Sequence, residues 1–291
     1  MTDESTMQTS VGFDPALLAA HPELAALTLE LPDSDGEPME NERERLQITL
    51  LLDVLSVYWH DRQDFYAGGN MFLYYSAQQA RQILAEEAEP ARPRRALRGP
   101  DLFIVLDVDG SFRRQKWVVW EEEGRYPDVI FEFLSPTTRR VDQITKKALY
   151  EQTFKTREYY WFDPFDPRVF QGWQLHLGSG YQAMTPDSRG WVWSPVLSLW
   201  IGPWEGIYHR DPATWLRFYA PDGQLLVTPQ ELAEAATQRA EAEHVRAEAA
   251  HVRAEAAQAE AEAERVRAET AEAELARLRA ELDRLRGENR A

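Results

Sequence analysis

The chain has 291 residues, with 32 Lys+Arg against 49 Asp+Glu (net −17), 44% hydrophobic and 11% aromatic residues, and no cysteine. That length allows one large or two modest domains, and the aromatic content is far above that of a disordered chain. The missing cysteines exclude a disulfide scaffold, a Cys-ligated zinc or iron–sulfur site and a cysteine nucleophile, and make a reducing, cytoplasmic setting the expectation.

The first 38 residues form an acidic arm with eight acids and no base. Its opening, MTDESTMQTS, lacks the basic start of a signal segment, and nowhere does the chain reach about 18 consecutive apolar residues. No membrane partner is therefore expected. Leu17, Leu18, Leu24, Leu27 and Leu29 give the arm a short docking segment, followed by the acidic turn Asp33–Pro38.

Residues 39–228 have the size of a single domain and a nearly balanced charge, 26 acids against 22 bases. From Asn41 to Trp59 the apolar positions Leu46, Leu50, Leu51, Val54, Leu55 and Tyr58 recur at helical spacing. Gly68-Gly69-Asn70 reads as a break, Met71–Tyr75 as a strand, and Ala77–Glu87 as a short helix or loop before the basic stretch ARPRRALRGP. Asp101–Val108 and Lys116–Trp120 are apolar, β-branched runs separated by Asp109-Gly110, the pattern of a hairpin. PDVIFEFL (127–134) is a nearly continuous apolar run, as expected of a strand covered on both faces. Val141–Phe154 reads as helix and Glu158–Phe162 as a strand. Trp173–Leu177, Tyr181–Met184, Trp191–Trp193 and Phe218–Val227 read as hairpins that close the sheet. The expected class is α/β, a mixed central sheet flanked by helices.

After Thr228 the composition changes abruptly. All ten Trp and all 11 Tyr precede it, and residues 229–291 are almost wholly strong helix formers. Ala247, Ala254, Ala261, Ala268, Leu275 and Leu282 repeat every seven residues, with Ala250, Ala257, Glu264, Ala271, Leu278 and Leu285 as partner series. That is an a/d spacing over six heptads, and it predicts a long C-terminal coiled-coil helix through which the chain self-associates. A second series (Val245, Ala249, Val252, Ala256, Ala259, Ala263, Val266) competes for the seam, leaving register and strand number open. A free, solvated helix is the alternative.

Glu132 stands inside an otherwise apolar strand, where an ionised carboxylate needs a cation. Asp128, four residues earlier, shares its face at a period of two, and Asp101 opens the neighbouring strand. Hard carboxylates without Cys suit Mg²⁺ or Mn²⁺ better than zinc, and so phosphate chemistry. Lys146 lies on the following helix between Asp142 and Tyr150, one turn away on either side. Phosphodiester hydrolysis needs a metal, a water acidified by it and a cation for the developing charge, which two acids and a lysine provide. The same residues would also be accounted for by an ion pair between Glu132 and Lys146.

Gly-Pro-Asp101, PDVIFEFLSPTT (127–138), Asp142, Lys146, Tyr150 and EYYWFDP (158–164), in this order, resemble the bacterial Uma-type family of restriction-endonuclease-like proteins. That family is placed in the PD-(D/E)XK nuclease superfamily. The resemblance covers roughly residues 33–228 and implies a restriction-endonuclease-like core, with Asp101 as motif aspartate, Glu132 as motif acid and Asp128 as an additional strand acid. Leu134 occupies the place of the superfamily lysine; the family's Asp-x-x-x-Lys-x-x-x-Tyr pattern moves that role to Lys146, with the adjacent Lys147 as fallback. The superfamily often adds a glutamate from its first helix, and Glu40, Glu42 and Glu44 qualify. The implied function is Mg²⁺- or Mn²⁺-dependent DNA endonuclease, with Asp101 and Glu132 on the metal, Lys146 catalytic, and Asp128, Asp142 and Tyr150 supporting. Basic runs at Arg92–Arg98, Arg113–Lys116 and Arg139–Arg140 are candidates for backbone contact with DNA. The competing expectation is a catalytically inactive, nuclease-like oligomeric scaffold, favoured by the missing strand lysine and the net acidity.

Overall fold

The structure is a computed structural model, and it describes residues 21–33, 41–89, 96–135 and 139–288. The chain divides into two compact units, 1–229 and 230–291.

The first unit is built on a six-stranded mixed sheet in the order β1 (Phe65–Gly69), β3 (Leu102–Leu106), β5 (Val129–Phe133), β6 (Glu158–Phe162), β7 (Phe170–His176), β8 (Gly180–Ala183). Only β5 and β6 run parallel, with Val129 opposite Glu158 and Phe133 opposite Phe162; the other pairs are antiparallel. A parallel pair needs a crossover, and the helix α4 (141–154) provides it.

Alternation along the strands assigns the two faces. Leu102, Ile104, Val129, Phe131, Phe133, Tyr160 and Phe162 pack with Leu50, Leu51, Val54 and Leu55 of helix α2 (Glu42–Tyr58) and with the separate three-stranded sheet β9 (Val192–Ser194), β10 (Leu199–Tyr208), β11 (Asp211–Tyr219). Phe103, Val105, Ile130 and Tyr159 face the other way, onto Tyr150 and Phe154 of α4 and onto Trp117. A third cluster joins α1 (Pro22–Glu30) to α3 (Ala77–Ala88): Leu27 and Leu31 pack with Tyr74, Ile83 and Trp120, while Leu29 is exposed. Leu17 and Leu18, most of the acidic turn and the first half of the basic stretch (91–95) lie outside the described residues.

Several sequence expectations change. Residues 117–118 form no hairpin with β3, because β1 and β5 already occupy both its edges; Trp117–Val118 is instead β4, parallel to β2 (Leu73–Tyr74). Strands after β8 do not close the main sheet; they form a sheet of their own, and β10 was not anticipated. Gly68 and Gly69, expected as a break ahead of a Met71–Tyr75 strand, instead form the end of strand β1, which was not anticipated either. A Cβ on Gly68 would meet the Phe103 ring at 2.7 Å, and one on Gly69 would meet Ile48 Cγ2 at 2.5 Å. Glycine there lets core side chains close over the strand.

Gln47 ties α2 to edge strand β11: its amide nitrogen donates to the Leu216 carbonyl at 2.9 Å and its amide oxygen accepts from the Leu216 N–H at 2.8 Å. Gln47→Leu leaves both buried backbone groups of Leu216 without a partner, an expected loss of about 2 kcal/mol or more. Urea melts should show a lower midpoint at unchanged slope.

The second unit is one unbroken helix, α5 (Pro229–Glu288). A coiled coil is a relation between chains, and α5 supplies only the helix it requires. Among the described residues no helix is long and apolar enough to cross a membrane.

Candidate functional site

The site is assembled from β3, β5 and α4. The β3–β5 register pairs Leu102 with Phe131, so continuing it by one residue places Asp101 opposite Glu132. Opposed residues share a sheet face, here the face covered by α4. Asp101 Oδ2 accepts the Phe133 N–H at 2.6 Å, which anchors its carboxyl at this end of β5, and the Asp101 and Glu132 carboxyls act on one another electrostatically.

Glu132 is fully buried. Lys146 Nζ donates to its Oε2 at 2.7 Å and the Tyr150 hydroxyl donates to its Oε1 at 2.7 Å. Lys146 also lies 2.8 Å from Asp142 Oδ1, an ion pair whose geometry leaves that oxygen without an aligned hydrogen bond. The Tyr159 hydroxyl donates to the Asp142 carbonyl at 3.0 Å, pinning the helix start to β6.

The backbone of α4 explains how residues at i, i+4 and i+8 join one cluster, Lys146 and Tyr150 on the Glu132 carboxylate and Asp142 on Lys146. Its hydrogen bonding is π-type over Val141–Lys146, α-type over Lys147–Leu149 and π-type again over Tyr150–Phe154. A pure α-helix over-rotates by about 40° at each i+4 step, and the wider π turns rotate the other way. Asp142, Lys146 and Tyr150 thus stay in line over Glu132. Such π turns are frequent at functional sites.

One ammonium among three acids sets the electrostatics. Burial, with the Asp101 and Asp142 charges adding to it, raises Glu132 well above the usual carboxylate range despite the opposing pull of Lys146. Burial likewise raises Asp101, again against Lys146. Burial pulls Lys146 down, but Glu132, Asp101 and Asp142 together more than offset it, so the lysine is held above its ordinary value as an ammonium. Burial and the Glu132 carboxylate push the Tyr150 phenol up, keeping it a donor.

The other nominated residues lie elsewhere. Asp128 is at the far end of β5, where Oδ2 accepts the Leu106 N–H at 2.8 Å and Oδ1 faces Arg157 at 3.6 Å. Lys147 lies over the rings of Trp173 and Tyr181, 5.1 and 5.6 Å from their centroids. Glu42 and Glu44 belong to α2, which packs on the opposite face of the sheet, and Glu40 lies outside the described residues. Among the described basic residues, Arg114 is chelated by Glu122, Lys116 donates to the Thr28 and Leu31 carbonyls, and Arg98 pairs with Glu86 and Glu87. These three serve the fold. Arg139 pairs with Asp163, and Arg140 beside it is exposed. Asp163, which no sequence argument singled out, also accepts the N–H groups of Phe165 and Asp166 and so braces the turn after β6.

Among the described residues no three acidic or histidine side chains are grouped to hold a metal ion. A Mg²⁺-type ion bound through two carboxylates and water does not require three. The donor set of Asp101 and Glu132, with Asp142 Oδ1 unaligned beside them, fits such an ion.

The sequence model of the Uma2 family, described as "Putative restriction endonuclease", matches residues 34–204, more than half of the chain and all of this site. A solved structure titled as a "putative nuclease belonging to DUF820", from Anabaena variabilis, is similar at 13% identity, covering 58% of this chain and 87% of that one with a TM-score of 0.37. No curated protein matches the chain.

Proposed function

Because the chain belongs to the Uma2 family of restriction-endonuclease-type proteins, we propose that the Asp101–Glu132–Lys146 cluster is the active site of a divalent-metal-dependent endonuclease that hydrolyses DNA phosphodiester bonds. The observation that carries this reading is the convergence of two carboxyls and a half-buried ammonium from three separate elements on one sheet face.

Asp101 and Glu132 would hold Mg²⁺ or Mn²⁺. Such an ion supplies Lewis acidity toward a phosphate oxygen and acidifies water. Lys146, an ammonium at neutral pH, is suited to steady negative charge developing on the phosphate rather than to accept a proton. Asp142 holds that ammonium in place, and Tyr150 fixes the carboxylate of Glu132 by its second oxygen. Arg140, exposed and seven residues beyond the end of β5, is the basic residue retained for contact with the DNA backbone, with Arg139 beside it already paired to Asp163. The long helix α5 would join copies of the enzyme so that two sites can address two strands.

The test is cleavage of supercoiled plasmid and of single-stranded DNA with Mg²⁺, Mn²⁺ or EDTA, comparing wild type with Asp101→Ala. Nicking that requires the ion and disappears in the variant is expected. A folded wild type that cleaves neither substrate under any condition would overturn the proposal in favour of the inactive scaffold.

A further inference from the structure

Helix α5 carries large apolar side chains that stand exposed among the described residues of its unit: Leu275, Leu278 and Leu282 are 53%, 54% and 50% exposed. From the charges that flank them, we infer that α5 pairs with α5 of a second copy of this chain as a parallel, in-register, two-stranded coiled coil. This goes beyond the proposed activity and does not depend on it.

The register follows from charge. With Ala247 and its heptad partners at a and Ala250 and its partners at d, the g positions include Glu260, Arg267 and Glu274, and the e positions Arg265, Glu272 and Arg279. In a parallel, in-register pair each g residue meets the e residue five positions later on the other helix. Glu260 then faces Arg265, Arg267 faces Glu272, and Glu274 faces Arg279. Three successive contacts are attractive, with the sign order reversing at the second, and each occurs twice by symmetry.

The competing seam fails the same criterion. With Ala249, Ala256 and Ala263 at a, and Val245, Val252, Ala259 and Val266 at d, Glu248 meets Arg253 and Glu262 meets Arg267, but Glu255 meets Glu260 and Glu269 meets Glu274. That seam also runs into Thr270 and Arg277, while the first carries one charged position in its six heptads, Glu264 at d, and gains leucines toward the same end. An antiparallel pair overlapping along its whole length would set the leucines against alanine. In the isolated helix Arg265 is engaged only by exposed Glu262 and Glu269 on its own surface, contacts weak enough to be exchanged.

The experiment uses the full chain. Sedimentation equilibrium is expected to give twice the 33.6 kDa chain mass. Because the protein has no cysteine, Ala271→Cys introduces one thiol at a d position, where an in-register parallel pair brings the two copies within disulfide reach. Mild oxidation should crosslink that variant without changing its native mass; a full-length antiparallel pair would hold the two thiols tens of ångströms apart. Glu260→Arg/Glu274→Arg should raise the dissociation constant on the order of 10–100-fold at low salt. Mixing it with Arg265→Glu/Arg279→Glu should restore association as a heterodimer. A monomer at tens of micromolar, a trimer or tetramer, a dimer that fails to crosslink, or charge reversals without effect would each overturn the inference.

Discussion

Glu132→Gln is expected to lower metal-dependent cleavage by about a thousandfold or more while leaving the protein folded and, at pH 8, more resistant to urea than wild type. The loss of activity follows from removing one of two carboxylates that would hold the ion. The gain in stability follows from charge: Glu132 shares one ammonium with Asp101 and Asp142, and its carboxyl is held above its ordinary range chiefly by burial. A carboxyl raised in the folded state contributes stability that is fully present below its unfolded value, about 4.5, and lost as pH rises through the folded value. Glutamine keeps the neutral form at every pH. Urea midpoints of the two proteins should therefore lie close together in acid and diverge toward pH 8. Retained cleavage would remove Glu132 from the catalytic assignment, and a variant less stable at pH 8 than at pH 5, relative to wild type, would contradict the charge argument.

Lys146→Met should show the opposite sign, a loss of about 3–5 kcal/mol at pH 8 together with loss of cleavage. Among the described residues Lys146 is the one cation bonded to Glu132, and methionine would leave buried carboxylates facing one another. The lysine is raised above its ordinary value of 10.5, so its stabilisation is fully present below that pH and is lost only as pH climbs through the still higher folded value. In the variant the carboxyls relieve the repulsion by taking up protons, so the deficit should shrink on going from pH 8 to pH 5. The double variant with Glu132→Gln should lose less than Lys146→Met alone, because the two side chains are in direct contact. Additive losses would mean that the two groups do not act as a pair.

Periodicity made much of the frame legible. The seven-residue repeat of α5, the helical spacing of α2 and the apolar run of β5 each announce their element because one pattern dominates a long enough window. What was illegible depends on backbone geometry that composition does not encode. Between β10 and β11 the turn residues His209 and Arg210 have φ of 47° and 67°, the positive-φ pair of a tight hairpin turn made without the Asn-Gly that signals it. Strand β10 contains Gly202, Pro203 and Gly206, which read as breakers, yet Gly202 is where the Trp191 ring passes within 2.1 Å of a notional Cβ.

The site shows the same division. Glu132 is conspicuous as a lone acid in an apolar strand, and Asp101 follows once the neighbouring strand is placed. Asp128 shares the face of Glu132 by alternation, but four residues of strand separate them by about 13 Å, too far for side chains this short to bind one ion together. The alignment of Asp142, Lys146 and Tyr150 depends on π turns, a hydrogen-bond shift with no signature in the residue types.

The division of aromatic residues between the two units gives each its own optical signature. Residues 229–291 hold no Trp, Tyr or Phe, whereas α5 alone is 60 residues of helix, more than the helices among the described residues of the first unit combined. Indole fluorescence and near-ultraviolet dichroism therefore report the first unit alone, and ellipticity at 222 nm is weighted toward the tail. A single denaturation followed with both probes separates the melting of the helix from that of the sheet domain in the intact chain, without cutting it. Dilution should move the far-ultraviolet transition and leave the fluorescence transition where it is.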